Sequence, residues 1–226
     1  KMRYMSGGQV KLPIVIRMRA GVWGAQAADH SQFPHAWFVH VPGLRVVAPS
    51  TPYDAKGLLK ASIRDDNPVI FFEQGLLYRV KGPVPDEDYL IPLGKADVKK
   101  QGTDVTIVAT AYMVQLALAA AHTLEDVGIS VAVVDPRTLA PLDKETILEM
   151  VKKTGKLVIV DEGTKTGGFA AEVATMVMEE AWADLKAPVK RVCSLDVPMP
   201  FSPPMEQYVV PDQDQIIQAV RDVVAL

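Results

Sequence analysis

The chain has 226 residues, of which 49% are hydrophobic and 23% charged, and its formal net charge is −3 at pH 7. This composition is typical of a globular protein with one large or two small domains. No basic cluster indicates a nucleic-acid partner, and no apolar run approaches the ~20 residues that a membrane helix needs. The single cysteine, Cys193, cannot form an internal disulfide. The chain therefore fits a reducing compartment such as the bacterial cytoplasm or the mitochondrial matrix.

The first block of the chain alternates predicted strands and helices. Thr51 is the predicted N-cap of its second helix, with Pro52 at the first helical position. Continuous Val, Ile and Phe runs, rather than alternating ones, predict strands that are covered on both faces. In chain order the predicted elements are the strand LPIVIR (12–17), the helix SQFPHAWFVH (31–40), the strand LRVVAPS (44–50), the helix TPYDAKGLLKASIRD (51–65) and the strand PVIFFEQ (68–74).

A stretch rich in proline, glycine and charge, residues 78–104, is predicted to be a linker or surface loop. A second block follows it, with an irregular proline-rich stretch at 196–212. Strands that alternate with helices predict right-handed crossovers and a parallel sheet. We therefore expect two α/β units, the first with only about three strands. The second block comprises the strands 105–110, 130–135, 156–162 and 189–195 and the helices 113–127, 143–154, 168–185 and 214–225.

Three of the four histidines, His30, His35 and His40, lie in the stretch DHSQFPHAWFVH. Successive members are five residues apart, which places them about 140° apart on a helix and on opposite faces of a strand. This spacing argues against a three-histidine metal site. If Ser31 is the N-cap and Pro34 lies in the first helical turn, His30 lies on the loop before the helix. Spacing alone slightly favours an ordinary loop histidine over a functional one.

The stretch ASIRDDNPV offers a second candidate site. Carbonyl groups at a helix end, together with Asp65 and Asn67, supply oxygen ligands of the kind that alkali and alkaline-earth ions prefer. An ordinary helix end followed by a turn before Pro68 explains the same residues. Without further information the ordinary turn is the favoured interpretation.

Five longer stretches resemble one family. They are KMRYMSGGQVKLPIVIR, HSQFPHAWFVHVPGLRVVAPSTPYDAKGLLKASIRDDNPVIFFE, VVDPRTLAPLD, VIVDEGTKTGGFAAEVA and PMPFSPPMEQYVVPD. Together they resemble the beta subunit of the thiamine-diphosphate-dependent decarboxylating component of 2-oxo acid dehydrogenase complexes. The pyruvate, branched-chain and acetoin dehydrogenases belong to this group, and the resemblance covers nearly the whole chain.

The resemblance implies an α/β fold of two parallel-sheet, doubly wound units. Residues 1–92 would be the C-terminal part of a transketolase-type pyrimidine-binding domain, and residues 93–226 a transketolase C-terminal domain. It also implies a heterotetramer of two alpha and two beta subunits. Thiamine diphosphate would lie between subunits, with its diphosphate and magnesium on alpha and its aminopyrimidine on beta.

The resemblance also assigns site residues. The histidine of the family's HSQ motif falls on His30, which would handle protons or orient the substrate or the lipoyl group. A histidine that changes charge near pH 7 suits this role. The family's potassium site maps onto Ile14, Ser62, Ile63, Asp65 and Asn67, some of which would bind through backbone carbonyls.

One departure concerns the cofactor. The family's beta subunit begins roughly a hundred residues earlier, and the first unit here has fewer strands than the mean sheet of about 5–6. The glutamate that bonds the aminopyrimidine is expected in that segment, upstream of Lys1, so the sequence offers no cofactor-binding residue of its own. Trp23 and Asp29, before the HSQ motif, are not those expected of the pyruvate enzymes.

We expect a subunit, most simply of the pyruvate dehydrogenase type, that decarboxylates a 2-oxo acid and acylates lipoyl groups on an acyltransferase core. An acetoin dehydrogenase beta subunit is the first alternative. A non-catalytic fragment, in which residues 95–226 dimerise beta subunits and dock on the core, is the second. Another transketolase-type enzyme, such as a deoxyxylulose-phosphate synthase half, is the third.

Overall fold

The computed structural model describes residues 1–226 as two α/β units with two 3-10 segments, Gly75–Arg79 and Trp182–Asp184. None of its helices combines the length and the apolar character that a membrane span requires. The strands are β1 (Val15–Ala20), β2 (Arg45–Val47), β3 (Val69–Gln74), β4 (Asp97–Lys100), β5 (Val105–Ala109), β6 (Val131–Asp135), β7 (Thr138–Ala140), β8 (Leu157–Thr164) and β9 (Lys190–Ser194). The helices are α1 (Met2–Met5), α2 (Ala27–His30), α3 (His35–Val39), α4 (Pro52–Ile63), α5 (Met113–Glu125), α6 (Lys144–Thr154), α7 (Phe169–Ala181), α8 (Pro203–Val209) and α9 (Gln213–Val224).

The first sheet has the strand order β1-β3-β2-β7. Strands β1, β3 and β2 pair in parallel, and β7 adds to the edge in the antiparallel direction. Strand β3 is buried along most of its length, as its apolar run predicts. The prediction that LPIVIR is a buried strand is wrong: the strand starts later, and Ile14 and Ile16 are 50% and 47% exposed. The reason is that β1 lies at the edge of this sheet.

The second sheet has the order β4-β6-β5-β8-β9 and is doubly wound. Its three inner strands and β9 are parallel, whereas β4 pairs with β6 in the antiparallel direction. Alternate residues of each strand point to opposite faces. Val105, Ile107 and Val133 pack with α5 and α9 on one face, while Val108 and Ile159 pack with α6 and α7 on the other.

Local signals fix several helix ends, and at α4 they are the ones that the sequence predicts. Thr51 caps α4 by accepting a hydrogen bond from the backbone N–H of Asp54, and Pro52 follows it. Asp143 caps α6, and Gly155 ends this helix in the left-handed conformation with φ of 72°. These signals are local because the bonds that satisfy a helix end come from neighbouring residues.

Two stretches predicted to be irregular contain regular structure. The predicted linker 78–104 contributes the edge strand β4, and the proline-rich stretch 196–212 contains α8. Proline is compatible with the first turn of a helix, where its missing N–H is not needed, and α8 begins at Pro203. The short strand β4 is stabilised by pairing with β6, a long-range contact that composition does not reveal.

The two units share one core and several buried charges. Ile70 and Phe72 of the first sheet lie in the same apolar cluster as Phe169 of α7. Asp54 of α4 is buried and contacts the second unit twice, through Lys99 Nζ at 2.6 Å and Arg137 Nη1 at 3.1 Å. The predicted boundary between residues 92 and 93 stays a prediction, and β7 crosses it by joining the first sheet.

Candidate active site

His30 lies where the chain turns back from the end of β1. After Ala20 the chain forms a loop of residues 21–26, which we call the His30 loop, and then the single helical turn α2, of which His30 is the last residue. The His30 side chain is 59% exposed, and its Nδ1 is 3.1 Å from Asp29 Oδ2. This hydrogen bond holds the pKa of the Asp29 carboxyl below its usual value.

The predicted N-cap Ser31 is wrong. The following helix, α3, begins at His35 with Pro34 as its N-cap, and Ser31 instead ends α2. A residue that precedes proline is disfavoured in the helical conformation, so a helix cannot easily run from Ser31 through Phe33 into Pro34. The Ser31 hydroxyl is buried and has no hydrogen-bond partner.

Two clefts adjoin this turn. The His30 cleft has a volume of about 540 Å³, with apolar walls from Met18, Ala20 and Phe72 and the side chain of His30 at its lining. It lies towards the carboxyl end of β1, the edge at which parallel α/β sheets bind ligands. A second cleft of about 470 Å³, the interdomain cleft, shares Gln32 and Pro34 with it and extends to residues 162–166 and 194–199.

The other histidines have different roles. His35 is fully buried, whereas His40 ends α3 and His122 is exposed in the last turn of α5. His35 Nε2 lies 3.0 Å from Asp161 Oδ2, and His35 Nδ1 lies 2.8 Å from the carbonyl oxygen of Phe33. Because both partners are acceptors, both ring nitrogens donate and the imidazole is charged.

This buried ion pair joins the two units, because His35 belongs to α3 and Asp161 to β8. Burial by itself lowers the pKa of His35, but the charge and the hydrogen bond of Asp161 raise it above the ordinary value. Burial likewise raises the pKa of Asp161, but His35 and the hydroxyl of Thr110 at 2.7 Å bring it below the ordinary value. The pair thus stabilises both charged forms.

Glu162, the next residue of β8, contacts the His30 loop. Its Oε1 accepts a hydrogen bond of 2.5 Å from the backbone N–H of Val22, and the Gln74 side chain donates to the same carboxylate at 3.0 Å. A Cβ on Gly21, whose φ is +78°, would lie 2.6 Å from Glu162 Oε1, so only glycine fits here. Burial raises the pKa of Glu162 to about 7, despite these hydrogen bonds.

Replacing Glu162 with glutamine should change the pH dependence of stability. The folded pKa of about 7 lies above the ordinary value of 4.5, so the stability contributed by protonated Glu162 is lost as pH rises through 7. Between pH 5 and pH 8 we expect the wild-type free energy of unfolding to fall by about 2 kcal/mol relative to that of Glu162→Gln. Urea unfolding of both proteins at the two pH values measures this difference, and parallel pH profiles would contradict the assignment.

The structure brings the residues of the predicted potassium site into one region. The chain before β1 runs beside the turn after α4: Leu12 N donates to Asp66 O at 2.9 Å, and Val69 N donates to Ile14 O at 2.8 Å. The buried Ser62 donates its hydroxyl to the Leu58 carbonyl at 2.7 Å, so its side chain is directed into the helix.

The turn itself exposes oxygen atoms. Asp65 Oδ1 accepts hydrogen bonds of 2.7 Å from the backbone and the side chain of Asn67. The carbonyl oxygens of Ile63, Asp65 and Asn67 accept no backbone hydrogen bond. Free carbonyl oxygens at a helix end suit a monovalent cation. Arg45 Nε lies 3.8 Å from Asp65 Oδ2 and balances part of the carboxylate charge.

The glutamate expected to bond the aminopyrimidine is predicted upstream of Lys1, and so it falls outside residues 1–226. Lys1 itself is exposed and is the N-cap of the short helix α1. The cofactor-binding glutamate therefore stays a prediction.

The sequence reasoning missed His35, Asp161 and Glu162. A signal was present for the two acids, because the apolar strand KLVIVDE ends in an Asp-Glu pair, and polar residues at the carboxyl end of a parallel strand commonly face a site. No local signal pairs His35 with Asp161, which is 126 residues away.

Two domain families match the sequence. Residues 1–81 match the transketolase pyrimidine-binding domain, and residues 94–216 match the transketolase C-terminal domain. Among solved structures, a split-gene transketolase in an inactive beta4 tetramer superimposes with a TM-score of 0.77 at 30% identity, covering 96% of this chain and 68% of that one. These matches confirm the predicted fold class.

Several curated proteins are similar over almost the whole chain. The 2-oxoisovalerate dehydrogenase subunit beta of Bacillus subtilis is 49% identical over 98% of this chain and 68% of its own length. The acetoin:2,6-dichlorophenolindophenol oxidoreductase subunit beta of Cupriavidus necator is 47% identical over 98% and 65%. The pyruvate dehydrogenase E1 component subunit beta of Rhizobium meliloti is 45% identical over 99% and 49%. The chain thus spans between about half and about two thirds of these relatives.

Proposed function

We propose that the chain acts in the oxidative decarboxylation of a 2-oxo acid. The chain belongs to the family of 2-oxo acid and acetoin dehydrogenase beta subunits, with transketolase-type pyrimidine-binding and C-terminal domains. The acyl group is passed to a lipoyl group. The observation that carries this proposal is the place of His30 at a cleft of mixed polar and apolar lining at the carboxyl end of β1. The activity belongs to an assembly with an alpha subunit.

The family is thiamine-diphosphate-dependent, and the His30 cleft fits one part of that cofactor. The lining of this cleft combines apolar contact from Met18 and Pro34 with hydrogen-bonding groups of Asp29, His30 and Gln32. The bound cofactor would supply the electron sink that decarboxylation of a 2-oxo acid needs. We propose that the alpha subunit holds its diphosphate and magnesium.

The overall reaction balances without an outside oxidant. The bond between the carbonyl and carboxyl carbons of the 2-oxo acid breaks, and carbon dioxide leaves. The lipoyl disulfide is reduced: one sulfur forms a thioester with the acyl carbon, and the other takes the proton of the acid and becomes a thiol. We assign His30 to this second half, where its exposed imidazole delivers the proton to the departing sulfur.

The experiment that tests this function uses the alpha/beta assembly with a purified lipoyl domain. Mass spectrometry would detect acylation of the lipoyl domain in the presence of thiamine diphosphate, magnesium and one substrate at a time. Pyruvate, 2-oxoisovalerate and acetoin are the substrates to compare, since relatives named for each are 45–49% identical to the chain. The pyruvate type stays our prediction, and acylation from acetoin alone, or from none of the three, would overturn the proposal.

The proposed partners are the alpha subunit, a second beta subunit and the acyltransferase core that carries the lipoyl groups. Large apolar side chains on and before α8, Phe201, Met205 and Tyr208, are 57–75% exposed and suit subunit contacts. We propose the bacterial cytoplasm or the mitochondrial matrix as the compartment, as for relatives named from bacteria and from mitochondria.

We further propose that Ile14, Ser62, Ile63, Asp65 and Asn67 bind potassium. The free carbonyl oxygens of the turn and its position beside Ile14 support this assignment. A cation here would tie the start of β1 to the end of α4 and so stabilise the strand that leads to His30.

Potassium should then stabilise the folded protein. A ligand at a hundred times its dissociation constant adds about 2.7 kcal/mol to the free energy of unfolding, so we expect a gain of this order in potassium chloride over choline chloride at equal ionic strength. Replacing Asp65 with alanine should abolish the gain, because the side chain shapes the turn. Replacement of Asp86 with alanine, in the exposed loop after β3, is the matched control and should keep it. Equal stability in the two salts would count against the site.

A further inference from the structure

The His30 loop has a strained backbone. Ala25 has a φ of 52° and Ala27, the first residue of α2, a φ of 59°, both in the left-handed region that residues with a side chain rarely adopt. Gly24, between the loop's two ends, has a φ of 118°. Such strain persists only where the surroundings hold the backbone in place.

Two carboxylates of the second unit contact this backbone. Glu206 of α8 accepts hydrogen bonds from the Ala25 N–H through both carboxylate oxygens, at 3.2 and 3.0 Å. Glu162 of β8 accepts the Val22 N–H at 2.5 Å. Both acids are buried, at 8% and 4% exposure.

The first unit contacts residues 21–23 of the same loop, where the Arg19 guanidinium also lies 3.4 Å from the centroid of the Trp23 ring. Gln74 donates to the Val22 carbonyl at 2.8 Å, and the backbone N–H of Gly21 donates to the Gln32 carbonyl at 2.8 Å. These contacts fix the start of the loop. The strained residue Ala25, five residues before His30, depends on Glu206 for its N–H partner.

We propose that Glu206, together with Glu162, is a positioning residue for His30: the two carboxylates of the second unit hold the strained loop so that the imidazole stays at the cleft. The inference rests on the proposed function of His30 for its effect on acylation. Its structural part, that Glu206 holds the loop, is measurable independently of any activity.

A purely structural role for Glu206 predicts something different. Loss of fold stability would slow every step of the reaction together, and it would loosen α8 as much as the loop. A positioning role predicts that the loop loosens selectively and that only the step assigned to His30 slows. The Ala25 N–H needs an oxygen atom that accepts its hydrogen bond, not a negative charge. The Glu206→Gln variant keeps such an oxygen and should therefore still hold the loop.

The experiment compares Glu206→Ala, Glu206→Gln and the control Glu149→Ala, which removes an exposed acid from α6, in the alpha/beta assembly. Hydrogen–deuterium exchange of the peptide spanning residues 21–30 should accelerate at least tenfold in Glu206→Ala, with exchange of α8 and β5 unchanged. Lipoyl acylation should fall at least tenfold, while decarboxylation with an artificial two-electron dye in place of lipoyl stays within twofold. Glu206→Gln should keep at least a third of the acylation rate, and Glu149→Ala should match wild type.

Unchanged exchange and acylation in Glu206→Ala, in an assembly where His30→Ala loses acylation, would overturn the inference. An equal loss in both half-reactions would do so as well. If the wild-type assembly acylates no lipoyl domain, the proposed function fails, and the exchange measurement still decides whether Glu206 holds the loop. If Glu206→Ala does not fold, Glu206→Asp, which withdraws the carboxylate by one carbon, is judged by the same two readouts.

Discussion

The His30→Ala variant should acylate a lipoyl domain about 10²–10⁴-fold more slowly than wild type, the usual contribution of a positioned acid–base group. The side chain lies at the His30 cleft and is 59% exposed, so its removal opens no cavity in a packed core. We therefore expect the slower acylation to come from the missing proton donor and not from a less stable fold, so the melting temperature should be unchanged. Single-turnover acylation of a lipoyl domain, followed by mass spectrometry, measures the effect.

The matched control is His122→Ala. This histidine is 72% exposed on α5, in the second unit, and its loss should leave acylation unchanged. Decarboxylation with the artificial dye should also stay close to wild type in His30→Ala, since the proton that we assign to His30 moves in the second half of the reaction. Acylation at the wild-type rate would remove His30 from the mechanism.

The Asp161→Ala variant should lose about 3–5 kcal/mol of the free energy of unfolding, the usual effect of removing one partner of a buried ion pair. The change leaves the fully buried His35 without its 3.0 Å partner and the Thr110 hydroxyl without an acceptor. Urea denaturation followed by circular dichroism measures the loss. Asp222→Ala breaks an exposed pair with Lys190 and should change stability far less. Similar losses in the two variants would contradict the role of the buried pair.

The pH dependence of this loss has a definite sign. The pKa of His35 is raised and that of Asp161 lowered in the folded protein. The contribution of His35 is present at low pH and is lost as pH rises through its raised pKa. The contribution of Asp161 is present at high pH and is lost as pH falls through its lowered pKa. The difference between wild type and Asp161→Ala should therefore be largest between these two pKa values.

Much of the fold could be predicted because its signals are local. The apolar runs at 105–110, 130–135 and 156–162 are strands in the structure, and Thr51 and Asp143 begin helices through bonds to residues three positions away. Where local and long-range effects compete, the prediction was wrong. The edge strand β4 and the short strand β7 depend on partners elsewhere in the chain. The wrong N-cap at Ser31 has a local cause instead, the backbone restriction on the residue before Pro34.

The candidate site divides in the same way. The family's HSQ motif predicts His30 as a site residue, whereas spacing alone slightly disfavoured it. No sequence motif identifies the residues that hold its loop, because Val22 and Glu162 are 140 residues apart and Ala25 and Glu206 are 181 residues apart. Each acid alone resembles an ordinary acid at the end of a strand or in the first turn of a helix.

The sequence by itself determined the alternation of strands and helices and the two α/β units, while the choice of His30 rests on the family resemblance and stays a prediction. These features depend on periodicity, capping and motif order, which act over a few residues. Only the tertiary structure decided that His35 is a buried cation paired with Asp161, and that Glu162 and Glu206 bind the backbone of the His30 loop. Both depend on how the second sheet packs against the first, and the free energy of that packing comes from a shared apolar core whose partners are distant in sequence.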